Sequence, residues 1–223
     1  MATVITRFVP KAVLRKVTYT TYVRLANAKE NEGLRMTYHN GTLEIASPTS
    51  MFHHEVPSQR LGMIIAAVCS VLKIPCFGAG SATFRRGGEG RYGGVGKEPD
   101  QSFYITHADW VLAKQATGDD PDLDAGDLPP DLWIEVDNRA SSEGKLPVYA
   151  ALGVPEVWRY RVKLNRIVFL RRVDDRYVSI KRSLNLPMLT PKLVLTALGE
   201  GISESEWDAR VRAWVASEFK LGG

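Results

Sequence analysis

The run Asp131-Leu132-Trp133-Ile134-Glu135-Val136-Asp137 constrains this chain more than any other segment. It is almost continuously apolar from Leu132 to Val136. That is the pattern of a central strand covered on both faces, not the alternation of a half-exposed one. Glu135 breaks the apolar run near its end. Lys145 follows ten residues later, after a loop and at the start of a new helix. A second acid, Asp100, closes a similar unit upstream, Glu98-Pro99-Asp100 followed by Gln101-Ser102-Phe103-Tyr104-Ile105. Two acids and a lysine at the ends of core elements suggest a divalent-metal site that hydrolyses phosphodiesters. The plainer reading is that acids at strand ends are solvated loop residues.

The 223 residues suffice for one generous domain, or one domain with a small appendage. No stretch of about 18 apolar residues is present, so no membrane span is expected. The mildly basic N-terminus has no continuous apolar run, which argues against a secretory signal and for a cytoplasmic protein. Cys69 and Cys76 stand in apolar contexts without a His or Cys cluster. They read as free thiols, not zinc ligands. A net charge of +4 permits nucleic-acid binding without demanding it. The basic pairs Arg85-Arg86, Arg171-Arg172 and Lys181-Arg182 read as solvated strand edges.

Residues 1–17 read as a loose leader, 18–198 as the main domain and 199–223 as a C-terminal helical extension. A short helix is expected over Tyr19–Lys29, capped by Thr20 or Thr21. Leu34–Tyr38 and Leu43–Ile45 flank Asn40-Gly41, the pair that a type I′ hairpin turn needs. Ser47-Pro48-Thr49-Ser50 breaks that strand, and a helix follows from about His54 to Leu72 with Val56, Arg60, Met63, Ile64, Ala67, Val68 and Val71 on one face. Ser81–Arg86 reads as a short strand, and Gly87–Gly96 as a flexible loop without phosphate-binding spacing. The acid-rich stretch 114–130 does not fit a calcium loop. Ser141 or Ser142 would cap a helix over Glu143–Leu152, ended by Gly153. Strands follow at Val154–Tyr160, and a hairpin joins Ile167–Leu170 to Tyr177–Ile180. The last helix opens with a Ser203/Glu206 capping box. This order describes an α/β core.

Several runs together resemble the Uma-two family of restriction-endonuclease-like proteins. They are Leu43-Glu44-Ile45-Ala46-Ser47-Pro48 with His54-Glu55; Glu98-Pro99-Asp100 with Phe103-Tyr104-Ile105; and, most specifically, Pro129 to Tyr160. The last contains Ile134-Glu135-Val136-Asp137, Lys145-Leu146-Pro147-Val148-Tyr149 and Gly153-Val154-Pro155-Glu156-Val157-Trp158. The resemblance spans roughly residues 18–190. It implies the PD-(D/E)XK nuclease fold, a central mixed sheet with the helix 54–72 on one face and the helix 143–152 on the other. It also implies DNA as substrate and Mg²⁺ or Mn²⁺ held by Asp100, Glu135 and the Val136 carbonyl. Asp137 stands where the superfamily pattern has lysine, and Lys145 matches a lysine that substitutes for it from the next helix.

Glu44 is a further candidate catalytic residue, pointing into the site from the hairpin, and Glu55 a weaker one from the first helix. His53 and His54 are adjacent, which points them in different directions and favours capping or surface roles over a two-histidine metal site. Asp137 reads as a loop acid bonded to nearby backbone. Along one strand, Trp158 and Tyr160 are expected under a helix, with Arg159 and Arg161 in solvent. Trp207, Trp214 and Phe219 are expected to pack on the core or on a second copy in a homodimer. The competing reading is a non-catalytic nuclease-fold module that binds nucleic acid or a protein partner. An unrelated α/β scaffold survives only if Asp100, Glu135 and Lys145 do not converge.

Overall fold

The covered strand expected at 132–136 is β8 in a computed structural model that describes residues 11–31, 34–46, 51–138, 141–199 and 202–219. In chain order the strands are β1 (Lys11–Arg15), β2 (Arg35–His39), β3 (Thr42–Ala46), β4 (Phe77–Gly78), β5 (Phe84–Gly87), β6 (Gly94–Lys97), β7 (Gln101–Tyr104), β8 (Leu132–Asp137), β9 (Glu156–Arg161), β10 (Arg166–Val173) and β11 (Arg176–Ile180). The helices are α1 (Tyr19–Asn27), α2 (Val56–Leu72), α3 (Ala108–Gln115), α4 (Leu146–Ala151), α5 (Pro191–Leu198) and α6 (Glu204–Glu218). The strands form the expected central mixed sheet and a second sheet built around the expected N-terminal hairpin. One runs β11-β10-β9-β8-β7-β4 and the other β1-β3-β2-β6-β5.

The larger sheet is mixed. β8 and β9 are parallel, and every other pairing in it is antiparallel. Parallel neighbours need a crossover, and α4 supplies it. Side chains of β8 alternate between the two faces. Leu132, Ile134 and Val136 pack with α2, α5 and α6. Trp133 packs with Val148, Tyr149 and Leu152 of the α4 segment. Both faces are therefore apolar, which explains the continuous run. The helices at 56–72 and 146–151 lie on opposite faces, as expected. Glu135 is one step from Ile134 and leaves on the Trp133 side.

The smaller sheet covers that same side, since its Phe84 and Val95 join Trp133, Val157 and Leu170 in one core. Its other face carries α1, with Tyr22 stacked on Tyr38. The segment read as a flexible loop supplies most of β6, which pairs with both β2 and β5 inside this sheet. Gly94 and Gly96 of β6 lie beneath Tyr19 and Tyr22, where a Cβ on Gly96 would come within 2.6 Å of the Tyr22 ring. The glycines allow close approach of an aromatic layer; they do not mark mobility. The leader reading also changes at Lys11–Arg15, which pairs antiparallel with β3; residues 1–10 lie outside the described residues, as does the break at 47–50.

Other expectations hold with shifted ends. Asn40 and Gly41 both have positive φ (42° and 86°), as the hairpin turn requires. The cap of α1 is Thr18, whose hydroxyl accepts from the Thr21 amide, so both expected caps, Thr20 and Thr21, lie inside the helix. The helix expected over 143–152 is a 3₁₀ turn, Glu143–Lys145, and then the shorter α4. α3 and α5 were not anticipated. The Ser203/Glu206 capping box is present. Trp207, Val211 and Val215 are buried against α2 within the chain, with Trp214 and Phe219 half-buried beside them. Met51–Leu72 is long and apolar enough to cross a bilayer by length and composition, but half of it is buried in this core. Cys69 and Cys76 are free thiols.

Candidate active site

Asp100 lies just before β7, where the chain leaves its pairing with β8. Its amide still bonds the Ile134 carbonyl at 3.1 Å. The next amide along β8 has no strand opposite it, and the Asp100 carboxylate takes its place: Val136 N–H donates to Oδ2 at 2.6 Å. Two cations hold the same carboxylate. Arg35 Nη1 of β2 lies 2.5 Å from Oδ1, and His54 Nε2 lies 3.1 Å from Oδ2. Burial alone would raise the pKa of Asp100. The His54 hydrogen bond and the Arg35 charge outweigh it and hold the carboxyl well below the usual range.

Glu135 faces the smaller sheet from the middle of the larger one. The registry of the smaller sheet sets Lys97, Thr37 and Glu44 side by side across β6, β2 and β3. Their side chains leave on one face, as does that of Arg35 two residues before Thr37. From that face the buried Lys97 ammonium reaches Glu135 Oε1 at 3.2 Å. The contact is ionic and poorly directed, so Oε1 has a neighbouring charge but no aligned hydrogen-bond donor. Lys97 also donates to the Glu98 carbonyl. Burial pushes the Glu135 carboxyl above its usual range. Asp100 pushes the same way, while Lys97, and more weakly Lys145 and Arg35, oppose it. Burial raises the Tyr149 hydroxyl well above its usual range, and the neighbouring Glu135 charge raises it further.

The charges of Asp100 and Lys145 thus both act on Glu135. Lys145 is half-buried in the 3₁₀ turn before α4. Glu44 is half-buried on the same sheet face, two strands from Lys97; at about 4.8 Å per strand its Cα is on the order of 10 Å away. Glu55 stays at the rim, exposed, and touches the site through His54 Nδ1 at 3.1 Å.

Two expectations need correction. His54 is not a surface residue: a π-helical turn, Met51–Glu55, turns it inward onto Asp100 and leaves His53 exposed. Burial would lower its pKa, but the Asp100 hydrogen bond and charge prevail and raise it, favouring imidazolium. Arg159 is not in solvent either. It is buried, with Nη2 2.7 Å from Asp137 Oδ2 and Nε 2.8 Å from Ser142 Oγ. Asp137, which also accepts from the Ser142 amide at 2.7 Å, is a clamp on the loop that delivers Lys145. Lys97 went unnoticed within a glycine-rich segment. Its only sequence signal was a lysine three residues before Asp100, and the pairing that brings it to Glu135 is long-range.

Among the described residues, no three His, Cys, Asp or Glu side chains group closely enough to hold a metal ion. Residues 19–199 match a family model, Uma2, described as putative restriction endonuclease. The chain belongs to this family. Its nuclease description accords with a buried acid pair bordered by lysines. Among solved structures, the crystal structure of a putative nuclease belonging to DUF820 from Anabaena variabilis ATCC 29413 is similar, at 14% identity and a TM-score of 0.46, covering 89% of this chain and 99% of that one. No curated protein matches the chain.

Proposed function

We propose that the protein hydrolyses DNA phosphodiesters with Mg²⁺ or Mn²⁺ at Asp100 and Glu135. The observation that carries this reading is that two buried carboxylates at one end of β8 and β7 have their pKa values driven in opposite directions by their surroundings, Asp100 down by His54 and Arg35 and Glu135 up by burial. Environments that split a carboxyl pair in this way assign one acid to permanent charge and the other to proton transfer.

The donor set fits a hard divalent cation. Glu135 Oε1 is buried without an aligned donor, and Asp100 Oδ1 has a lone pair beyond the one facing Arg35. In a strand the N–H and C=O of one residue leave by the same edge, so the Val136 carbonyl opens toward Asp100, as its N–H does. A bound cation would offset charge on the phosphoryl oxygens and acidify a water. Asp100, fixed by three partners, would stay anionic throughout. Glu135 would accept the proton of the attacking water, since a raised pKa makes a carboxylate a better base near neutral pH. Lys145 would offset charge on the departing oxygen.

A second reading has its own support. Arg35 and Lys97 already pair with both acids across the two sheets, which is what a non-catalytic binding module would keep to hold those sheets together. Nicking of supercoiled plasmid separates the two. Wild type should nick with Mn²⁺ and stop on chelation. Glu135→Gln should be inactive, and Lys145→Ala slow with the cation still bound. Association with DNA but no nicking, equal in all three proteins, would establish the module. Full-rate nicking by Glu135→Gln would overturn the assignment of the acid.

A further inference from the structure

The cation site proposed above is held, in the free protein, by a cation of the chain's own. Lys97 is 4% exposed and its Nζ lies 3.2 Å from Glu135 Oε1. That oxygen is the one with no aligned donor. The ammonium is a compact point charge on a flexible stem, and it has three donors. One of them already rests on the Glu98 carbonyl. The stem can therefore pull back from Glu135 and keep a partner in the buried site. We propose that Lys97 is a resident competitor for the divalent cation: it neutralises Glu135 until the ion arrives, then withdraws toward the Glu98 carbonyl and leaves its charge beside the phosphate. It is a positioning residue, acting through Glu135. This rests on the metal-dependent reading above and adds a residue that sets its cation affinity.

The placement distinguishes Lys97 from the other cations. Arg35 is bound to the Pro99 carbonyl at 3.0 Å as well as to Asp100, so it is fixed at both ends of its guanidinium. Lys145, half-buried in the 3₁₀ turn before α4, bears less strongly on Glu135. The Lys97 ammonium lies on the Glu135 oxygen that lacks an aligned donor.

The test is Mn²⁺ binding to the full chain by calorimetry, without DNA, for wild type, Lys97→Met, Lys97→Arg and Lys181→Met. Removing the competitor should tighten Mn²⁺ binding at least tenfold in Lys97→Met. Keeping the charge on a bulkier, forked head should weaken it about tenfold in Lys97→Arg. Lys181, exposed beyond β11, controls for net charge and should leave affinity unchanged. A lysine that only braces the two sheets would lower the melting temperature without tightening binding, so equal or weaker binding by folded Lys97→Met overturns the proposal. Should Lys97→Met fail to fold, Lys97→Arg decides, and wild-type affinity there overturns it too. If no variant binds Mn²⁺ at millimolar concentration, this proposal and the functional reading fall together. If the predicted order of affinities is found and wild type cleaves no DNA, the functional reading fails alone.

Discussion

Replacing Asp100 should separate two roles that this carboxylate combines. In Asp100→Ala the Val136 amide loses its acceptor inside the protein. An orphaned buried N–H costs about 1–3 kcal/mol. Arg35 also loses its partner. Breaking a fully buried pair costs about 3–5 kcal/mol, but the Arg35 side chain is 24% exposed and keeps the Pro99 carbonyl, so its share is nearer the bottom of any such range. Together the loss should be about 4 kcal/mol. Asp100→Asn keeps a carbonyl oxygen for Val136 but sets an NH2 against Arg35 in place of Oδ1, so it loses the ion pair, spares the amide and should cost roughly half as much. Urea unfolding followed by tryptophan fluorescence would measure both, read as a shift in midpoint at constant slope. Plasmid nicking should be abolished in both variants, because an amide oxygen is a poor substitute for a carboxylate toward a divalent ion. Equal destabilisation by Asn and Ala would refute the account of the Val136 amide. Wild-type nicking by Asp100→Asn would refute the account of the metal.

Three other perturbations test the surrounding structure. Gly96→Ala forces a methyl to within 2.6 Å of Tyr22 ring carbons and should cost about 1–3 kcal/mol by overpacking, measured by the same urea titration; unchanged stability would mean that α1 does not lie on β6. Ending the chain at Leu198 removes Trp207, whose indole N–H bonds the Ala197 and Leu198 carbonyls, and Glu204, which pairs with the buried Arg60. That truncation should lower the melting temperature and solubility; an unchanged melt and solution mass would exclude α6 from the core. Hydrogen bonds from Ser203 hold Glu206 below its usual carboxyl range. Because its folded value is depressed, the stability it lends is present above the usual range and is lost as pH falls through the lowered value. The melting difference between wild type and Glu206→Ala should therefore close on acidification from pH 6 toward 3, and a difference independent of pH would count against the capping box.

The parts of the fold that could be read from sequence are those whose cause is local. β8 showed itself because both of its faces are apolar, the β2–β3 hairpin because Asn40-Gly41 requires positive φ, and α6 because its capping box spans only four residues. α3 and α5 are barely two turns each, too short for a helical period to emerge. The site was half legible. Asp100 and Glu135 end recognisable apolar units, but the partners that define their chemistry come from across the chain. Arg35 is delivered by β2, Lys97 by β6 and His54 by a π-helical turn, and no spacing rule connects them to the acids. Arg159 was misplaced because alternation along β9 predicts which face a side chain takes, not whether a loop will cover that face.

The alternation of β6 has one more consequence. Gly94 and Gly96 present no side chain to α1, and Val95 and Lys97 project only to the opposite side. The length of this short stretch is therefore as strictly set as its composition. One residue inserted between Gly96 and Asp100 could swing the lysine under the tyrosines or detach the carboxylate from Val136. The same residue added to the exposed acidic stretch near Asp119 would move nothing that touches the acids. Tolerance to insertion, scanned one codon at a time along the gene, should map the site without any substitution at all.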